Sequence, residues 1–149
     1  MYGDTTVIRG LGTRMRDQAE DLRGQADELL ARAEGVAWQG WAADAMRTHA
    51  RDRVAALRTT ATAHDDAAGA LDHHAAEVDR LTALIAALEQ RARRLIAAAR
   101  DRLAALAHRL LDGLAGPLPD PLDQLLDRFV PPPSGHRDWL DVDLPGLHR

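Results

Sequence analysis

The sequence predicts an all-α protein: an elongated antiparallel helical hairpin that forms a bundle with a partner, followed by a short C-terminal helix and a flexible tail. Three observations predict it. Alanine supplies 29 of the 149 residues and aromatics only 3%, a composition built on strong helix formers. Apolar positions recur in steps of three and four over two long stretches, the spacing of one helical face. No stretch alternates apolar and polar residues for six or more positions, and Thr59, Thr60 and Thr62 form the only β-branched cluster, so strands are not expected.

The first helix is placed at 6–36, after the capping candidates Asp4, Thr5 and Thr6. Its stripe runs through Ile8, Leu11, Met15, Ala19, Leu22, Ala26, Leu29, Ala33 and Val36. At 1.5 Å per residue such a helix is about 45 Å long, too long to bury its stripe without a partner of similar length. Gly12 and Gly24 are interior glycines that each cost up to about 1 kcal/mol against alanine.

Residues 35–44 interrupt the rhythm with two glycines and two of the three tryptophans, and the turn is placed at 37–42. Gly40 can adopt the positive φ of a tight corner, and Asp44 suits the first turn of the next helix. Periodicity resumes through Met46, Ala50, Val54, Leu57, Ala61, His64, Ala68 and Leu71. It continues through Val78, Leu81, Ile85, Leu88, Ala92, Leu95, Ala99, Leu103, Leu106 and Leu110. This gives a long helix at 43–112. Residues 59–74 are poor in large apolar side chains and include Gly69, so two helices meeting there are the alternative to one; the phase kept across Gly69 favours one. The hairpin domain is thus 1–112.

Residues 113–149 form a proline-rich extension. Gly113, Gly116, Pro117, Pro119 and Pro121 end the long helix, and 121–129 reads as a short amphipathic helix capped by Asp120. Pro131-Pro132-Pro133-Ser134-Gly135 is a stiff link, after which Trp139, among Asp138, Asp141 and Asp143, lies in a tail ordered only if something holds its indole.

Several function classes are disfavoured. With 19 basic residues spread among 23 acidic ones and a net charge of −4, no local basic stripe is available for nucleic acid. Cysteine and lysine are absent, which removes thiol chemistry. No apolar window of 18 residues exists for a membrane span, and the N-terminus lacks the pattern of a cleaved signal peptide. His64, Asp65, Asp66, His73 and His74 cluster, but the histidines lack the i, i+4 spacing that would put two metal donors on one face. No nucleophile–base arrangement or phosphate loop occurs, so no enzyme, cofactor or metal is expected. Arg91, Arg93, Arg94, Arg100 and Arg102 read as a solvated face.

Trp38-Gln39-Gly40 stands between the two long helices, followed by Ala42-Ala43-Asp44-Ala45-Met46, with Met46 where an aromatic is common. Over about residues 5–90 the chain resembles the WXG family of small helical-hairpin proteins, substrates and partners of type VII (ESX-type) secretion systems. The likeness is closest to the variety that actinobacteria place at the head of longer secreted effectors. The resemblance implies a hairpin whose turn rests on Trp38 and Gly40 and which pairs with a homologous chain or an effector's helical head, as homo- or hetero-oligomer. It also implies export without a cleaved signal peptide, and so a secreted or envelope-associated protein with a cytoplasmic pool. Two features depart from the family. Its tyrosine-x-x-x-acidic signal is missing, since the sole tyrosine is Tyr2, although Trp139 and Asp143 have that spacing and are candidate docking residues of the tail. The second helix also runs well past its usual end.

The expected interface is Ile8, Leu11, Met15, Leu22, Leu29, Met46, Val54, Leu57, Leu71, Val78, Leu81, Ile85 and Leu88. The alternative is an intracellular coiled-coil scaffold or adaptor unrelated to secretion, because 78–110 alone supports more than four heptads. Seam alanines bury little area, and this favours a multi-helix bundle over a lone dimeric zipper.

Overall fold

The structure, a computed structural model, describes residues 4–147; Tyr2 falls outside them. It is all-helical among the described residues: α1 at Thr5–Glu34, α2 at Trp41–Leu111, α3 at Pro121–Arg128, and a 3₁₀ turn at Arg137–Leu140. The α2 helix passes through Gly69 without a break. The chain divides into two compact units inside α2, Asp4–Val78 and the residues from Asp79 onward, not at the 112/113 boundary expected from the prolines.

In the Asp4–Val78 unit, α1 starts where the Asp4 carboxylate accepts the Thr6 amide at 2.9 Å, satisfying a free amide of the first turn. Ion pairs join Arg16 to Asp72, Arg23 to Asp65, Asp27 to Arg58 (2.8 Å) and Glu34 to Arg51 (3.4 Å), so α1 and the first half of α2 run in opposite senses. Buried positions fall every seventh residue. On α1 they are Gly12, Ala19, Ala26 and Ala33; on α2 they are Ala43 and Ala50, then Val54, Ala61, Ala68 and Ala75. Small residues at the seam let the two backbones approach: a Cβ on Gly12 would lie 3.5 Å from the Ala68 carbonyl oxygen. Gly12 therefore takes the seam place expected for Leu11, which is 36% exposed.

The link between the helices, 35–40, is fixed by Arg47. Its Nη2 donates to the carbonyls of Val36 (3.0 Å) and Trp38 (3.1 Å). Gly40 has φ 111°, a conformation that side chains disfavour, and its carbonyl accepts the Asp44 amide as α2 begins.

In the second unit the heptad phase of α2 persists, with Ile85, Glu89, Ala92, Ile96 and Ala99 buried together with Leu88. Here the cover is the C-terminal segment. Leu126 of α3, Trp139, Leu144 and Leu147 form a core with Ile85, Leu88, Ala92 and Ala99, with Leu95, Phe129, Leu140 and Val142 packed around it. Residues 130–147, expected to be a flexible tail, are thus an ordered cover, because α2 itself supplies the apolar stripe that holds Trp139 at 1% exposure. The Trp139 Nε1 donates to the Pro133 carbonyl at 3.1 Å, so the indole enters the core with its polar edge satisfied.

Polar anchors fix this cover. The buried Glu89 carboxylate accepts from Ser134 Oγ (2.8 Å) and the Gly135 amide (3.2 Å) and pairs with Arg93. Asp123 is buried and takes a two-pronged contact from Arg102, with Nε 2.9 Å from Oδ2 and Nη2 2.5 Å from Oδ1; Asp127 takes Arg100 at 2.9 Å. Arg91, Arg93, Arg94, Arg100 and Arg102 are exposed, as a solvated face requires, and Arg93, Arg100 and Arg102 reach acidic groups from it.

Candidate helix-pairing surface

The two sides of the Asp4–Val78 unit differ in chemistry. The ion-paired residues of α2, at 51, 58, 65 and 72, recur every seven positions on one flank of the seam, opposite Glu34, Asp27, Arg23 and Arg16. Two residues further along a helix lies about 200° around it, at 3.6 residues per turn, so the next-but-one positions reach the other flank. There α1 places Leu11, Gln18, Gln25 and Arg32, and α2 places Met46, Arg53, Thr60, Ala67 and His74.

Grooves between the helices open on this second flank. One is lined by Met15, Thr59, Thr60, Ala63, His64 and Ala67, the other by Gln18, Asp21, Leu22, Gln25, Thr60 and His64. Asp21 and the imidazole of His64 are the ionisable side chains lining the two grooves. The His64 Nδ1–H donates to the Thr60 carbonyl at 2.9 Å, as an i, i−4 contact.

The larger apolar residues lean toward this flank. Ile8, Met15, Leu22 and Leu29 of α1, and Met46, Leu57, Leu71 and Val78 of α2, are each half-buried, while the fully buried seam is alanine, glycine and one valine. Full burial of such a side chain is worth about 1.5–3 kcal/mol, so each retains on the order of 1 kcal/mol to gain from a further partner.

The expected interface thus divides into three groups. Ile8, Leu11, Met15, Leu22, Leu29, Met46, Leu57, Leu71 and Val78 remain at least partly exposed in the first unit. Val54, at 4% exposure, is sealed between α1 and α2. In the second unit Leu81 is half-buried, but Ile85 and Leu88 are covered by the C-terminal segment and are not open to a partner. Trp139, expected to dock elsewhere, is likewise consumed by the core, and Asp143 is exposed beside Leu144. Trp38 is 49% exposed and Trp41 86% exposed, so neither indole is enclosed in the link.

Reading the sequence alone missed Arg47, Gly12, Glu89 and Asp123. The first two carried a signal: the heptad phase through Ala43, Ala50 and Val54 puts Arg47 on the seam, and the phase through Ala19 and Ala26 does the same for Gly12. A second apolar exposure lies at Leu110, Leu111, Leu114 and Leu118, and no helix among the described residues is long and apolar enough to cross a membrane. No protein family, no curated protein and no solved structure matches the chain.

Proposed function

We propose that this chain is a WXG-like substrate or chaperone-like partner of a type VII secretion system that acts by helix–helix pairing with a homologous chain or an effector's helical head. In this reading the Asp4–Val78 unit is the hairpin and Trp38-Gln39-Gly40 its turn. The observation that carries it is the two-sided chemistry of that unit: four ion pairs close one flank, while half-covered leucines and methionines line grooves on the other whose walls are largely uncharged. Such a unit gains free energy by burying one particular side against other helices.

The test is export and pairing together. In a host with a type VII ATPase, the chain leaves the cytosol in an ATPase-dependent way, and Leu22→Glu abolishes both pairing and export. Export that ignores the ATPase refutes the secretion role.

The unbroken heptad phase of the 71-residue α2 favours a second reading, an intracellular coiled-coil scaffold. That reading predicts pairing without export.

A further inference from the structure

Ser134 is the one serine of the chain. It is also the one hydroxyl-bearing side chain among the described residues that lies outside a helix, since every described threonine belongs to α1 or α2. A helical hydroxyl reaches another enzyme's cleft only if its helix unwinds, and Thr59, Thr60 and Thr62 tie theirs to the carbonyl one turn back. Ser134 needs no unwinding. It is exposed, follows three prolines, and stands at the corner of a β-turn that the His136 amide closes on the Pro133 carbonyl at 3.1 Å, with Gly135 at φ 72°.

What this hydroxyl touches is unusual. Glu89 is 7% exposed and falls in the heptad phase of Ile96, where α2 otherwise turns apolar side chains toward its cover. Its Oε1 accepts from Ser134 Oγ at 2.8 Å and from Arg93, and its Oε2 accepts from the Gly135 amide at 3.2 Å. An accessible hydroxyl therefore rests against a buried carboxylate that depends on it.

We propose that Ser134 is a phosphorylation site and that its modification by a protein kinase releases residues 130–147 from α2. Ser134 Oγ attacks the terminal phosphorus of a nucleoside triphosphate held by the kinase. The bond from that phosphorus to the bridging oxygen breaks, the nucleoside diphosphate leaves, and the hydroxyl proton passes to the kinase's base. The product carries about −1.5 to −2 charges near neutral pH, and its oxygens only accept. The contact with Glu89 then changes from a donated hydrogen bond into the approach of two anions. Arg93 does not serve both: drawn to the phosphate it leaves Glu89, and kept by Glu89 it leaves the phosphate facing a buried charge. The cations nearest in sequence, His136 and Arg137, are already paired with Asp138. Release bares Ile85, Leu88, Ala92 and Ala99, so a sealed half of α2 becomes an open apolar stripe. This switch lies in the second unit and holds whether or not the first unit pairs with other helices.

Phosphoserine placed at 134 during synthesis should raise the rate of proteolytic cleavage within 130–147 by about 100-fold or more, at unchanged helix content. Ser134→Ala removes the hydrogen bond without adding charge and should raise it by about 10-fold or less. In the phosphoserine chain Glu89→Gln should restore most of the protection, because its amide donates to the phosphate where the carboxylate repels it; a merely disrupted turn shows no such rescue. Peptide mass mapping of the chain recovered from the cells that make it should find a phosphoryl group on Ser134. A chain phosphorylated only on threonine, or nowhere, overturns the site. A phosphoserine chain as protected as the unmodified one overturns the release, and a Ser134→Ala chain cleaved as fast as the phosphoserine chain overturns the role of the added charge.

Discussion

The Arg47 guanidinium holds Trp38 by its main chain, donating from Nη2 to the Trp38 carbonyl at 3.1 Å, while Trp38 itself stays 49% exposed. The same nitrogen reaches the Val36 carbonyl at 3.0 Å, so one cation on α2 gathers two otherwise free acceptors of the link. The tryptophan that marks the link in the sequence is thus held through its main chain, with its indole half in water.

Arg47→Ala should cost about 1–2 kcal/mol, the range for charged hydrogen bonds at partly wet sites. Trp38→Ala should cost less than about 1 kcal/mol, since much of the side chain is already in water. Urea midpoints of the two variants check this; a Trp38→Ala penalty exceeding that of Arg47→Ala would show the indole to be the determinant.

The glycines of the first unit divide by what a methyl group would meet. At Gly24 and Gly69 nothing lies within 4 Å, so Gly24→Ala and Gly69→Ala should each stabilise by up to about 1 kcal/mol through helix propensity alone. At Gly12 a Cβ would stand 3.2 Å from the Asp72 carboxylate and 3.5 Å from the Ala68 carbonyl. Alanine fits if that carboxylate yields slightly, and should be near neutral; Gly12→Leu forces the backbones apart and should cost about 1–3 kcal/mol. Thermal melts that rank all four substitutions as equivalent would refute the close approach.

Periodicity made the helices legible, because steps of three and four require no knowledge of the partner. It could not show which half of α2 is covered by what. Ile85 falls in the same heptad phase as Leu57 and Leu71, yet it lies under Trp139 and Leu144 while they stay half-open. That difference depends on where residues 130–147 return, and the proline run conceals it locally. The Glu89 anchor was unreadable for a similar reason: its partners Ser134 and Gly135 are 45 and 46 residues away in the chain. The two flanks of the first unit lay in the sequence as charges at intervals of seven, but only the observed pairs assign them to one side.

Trp139→Ala should detach the C-terminal cover. Truncating a buried tryptophan costs about 3–5 kcal/mol, more than a cover with one short helix can be expected to spare. Limited proteolysis should then cleave within 130–147 while helix content hardly changes, whereas Trp41→Ala, at an 86% exposed position, should leave the protease pattern as it was. Equal protection of Trp139→Ala and the unaltered chain would contradict the core described for this unit.

Acid should loosen the same cover. Hydrogen bonding from Ser134, opposed by burial and aided by the Gly135 amide and Arg93, holds Glu89 below its ordinary value of 4.5. The Arg102 contact, again against burial, holds Asp123 below 3.8. A carboxylate depressed in the folded state stabilises that state at any pH above its unfolded value, and the contribution disappears as pH falls through the folded value. The cover should therefore be indifferent to pH near neutrality, begin to weaken below about 4.5 as Glu89 is drawn toward protonation, and weaken further below about 3.8 as Asp123 follows. In a Trp38→Phe/Trp41→Phe background the emission of Trp139 reports this directly, shifting from buried to wet as acid is added. Glu89→Gln keeps the shape but removes the titrating charge, so its profile should lose the upper part of the transition and retain the part belonging to Asp123. Emission that stays buried down to pH 2, or a Glu89→Gln profile superimposable on that of the parent, would mean these two carboxylates do not hold the segment in place.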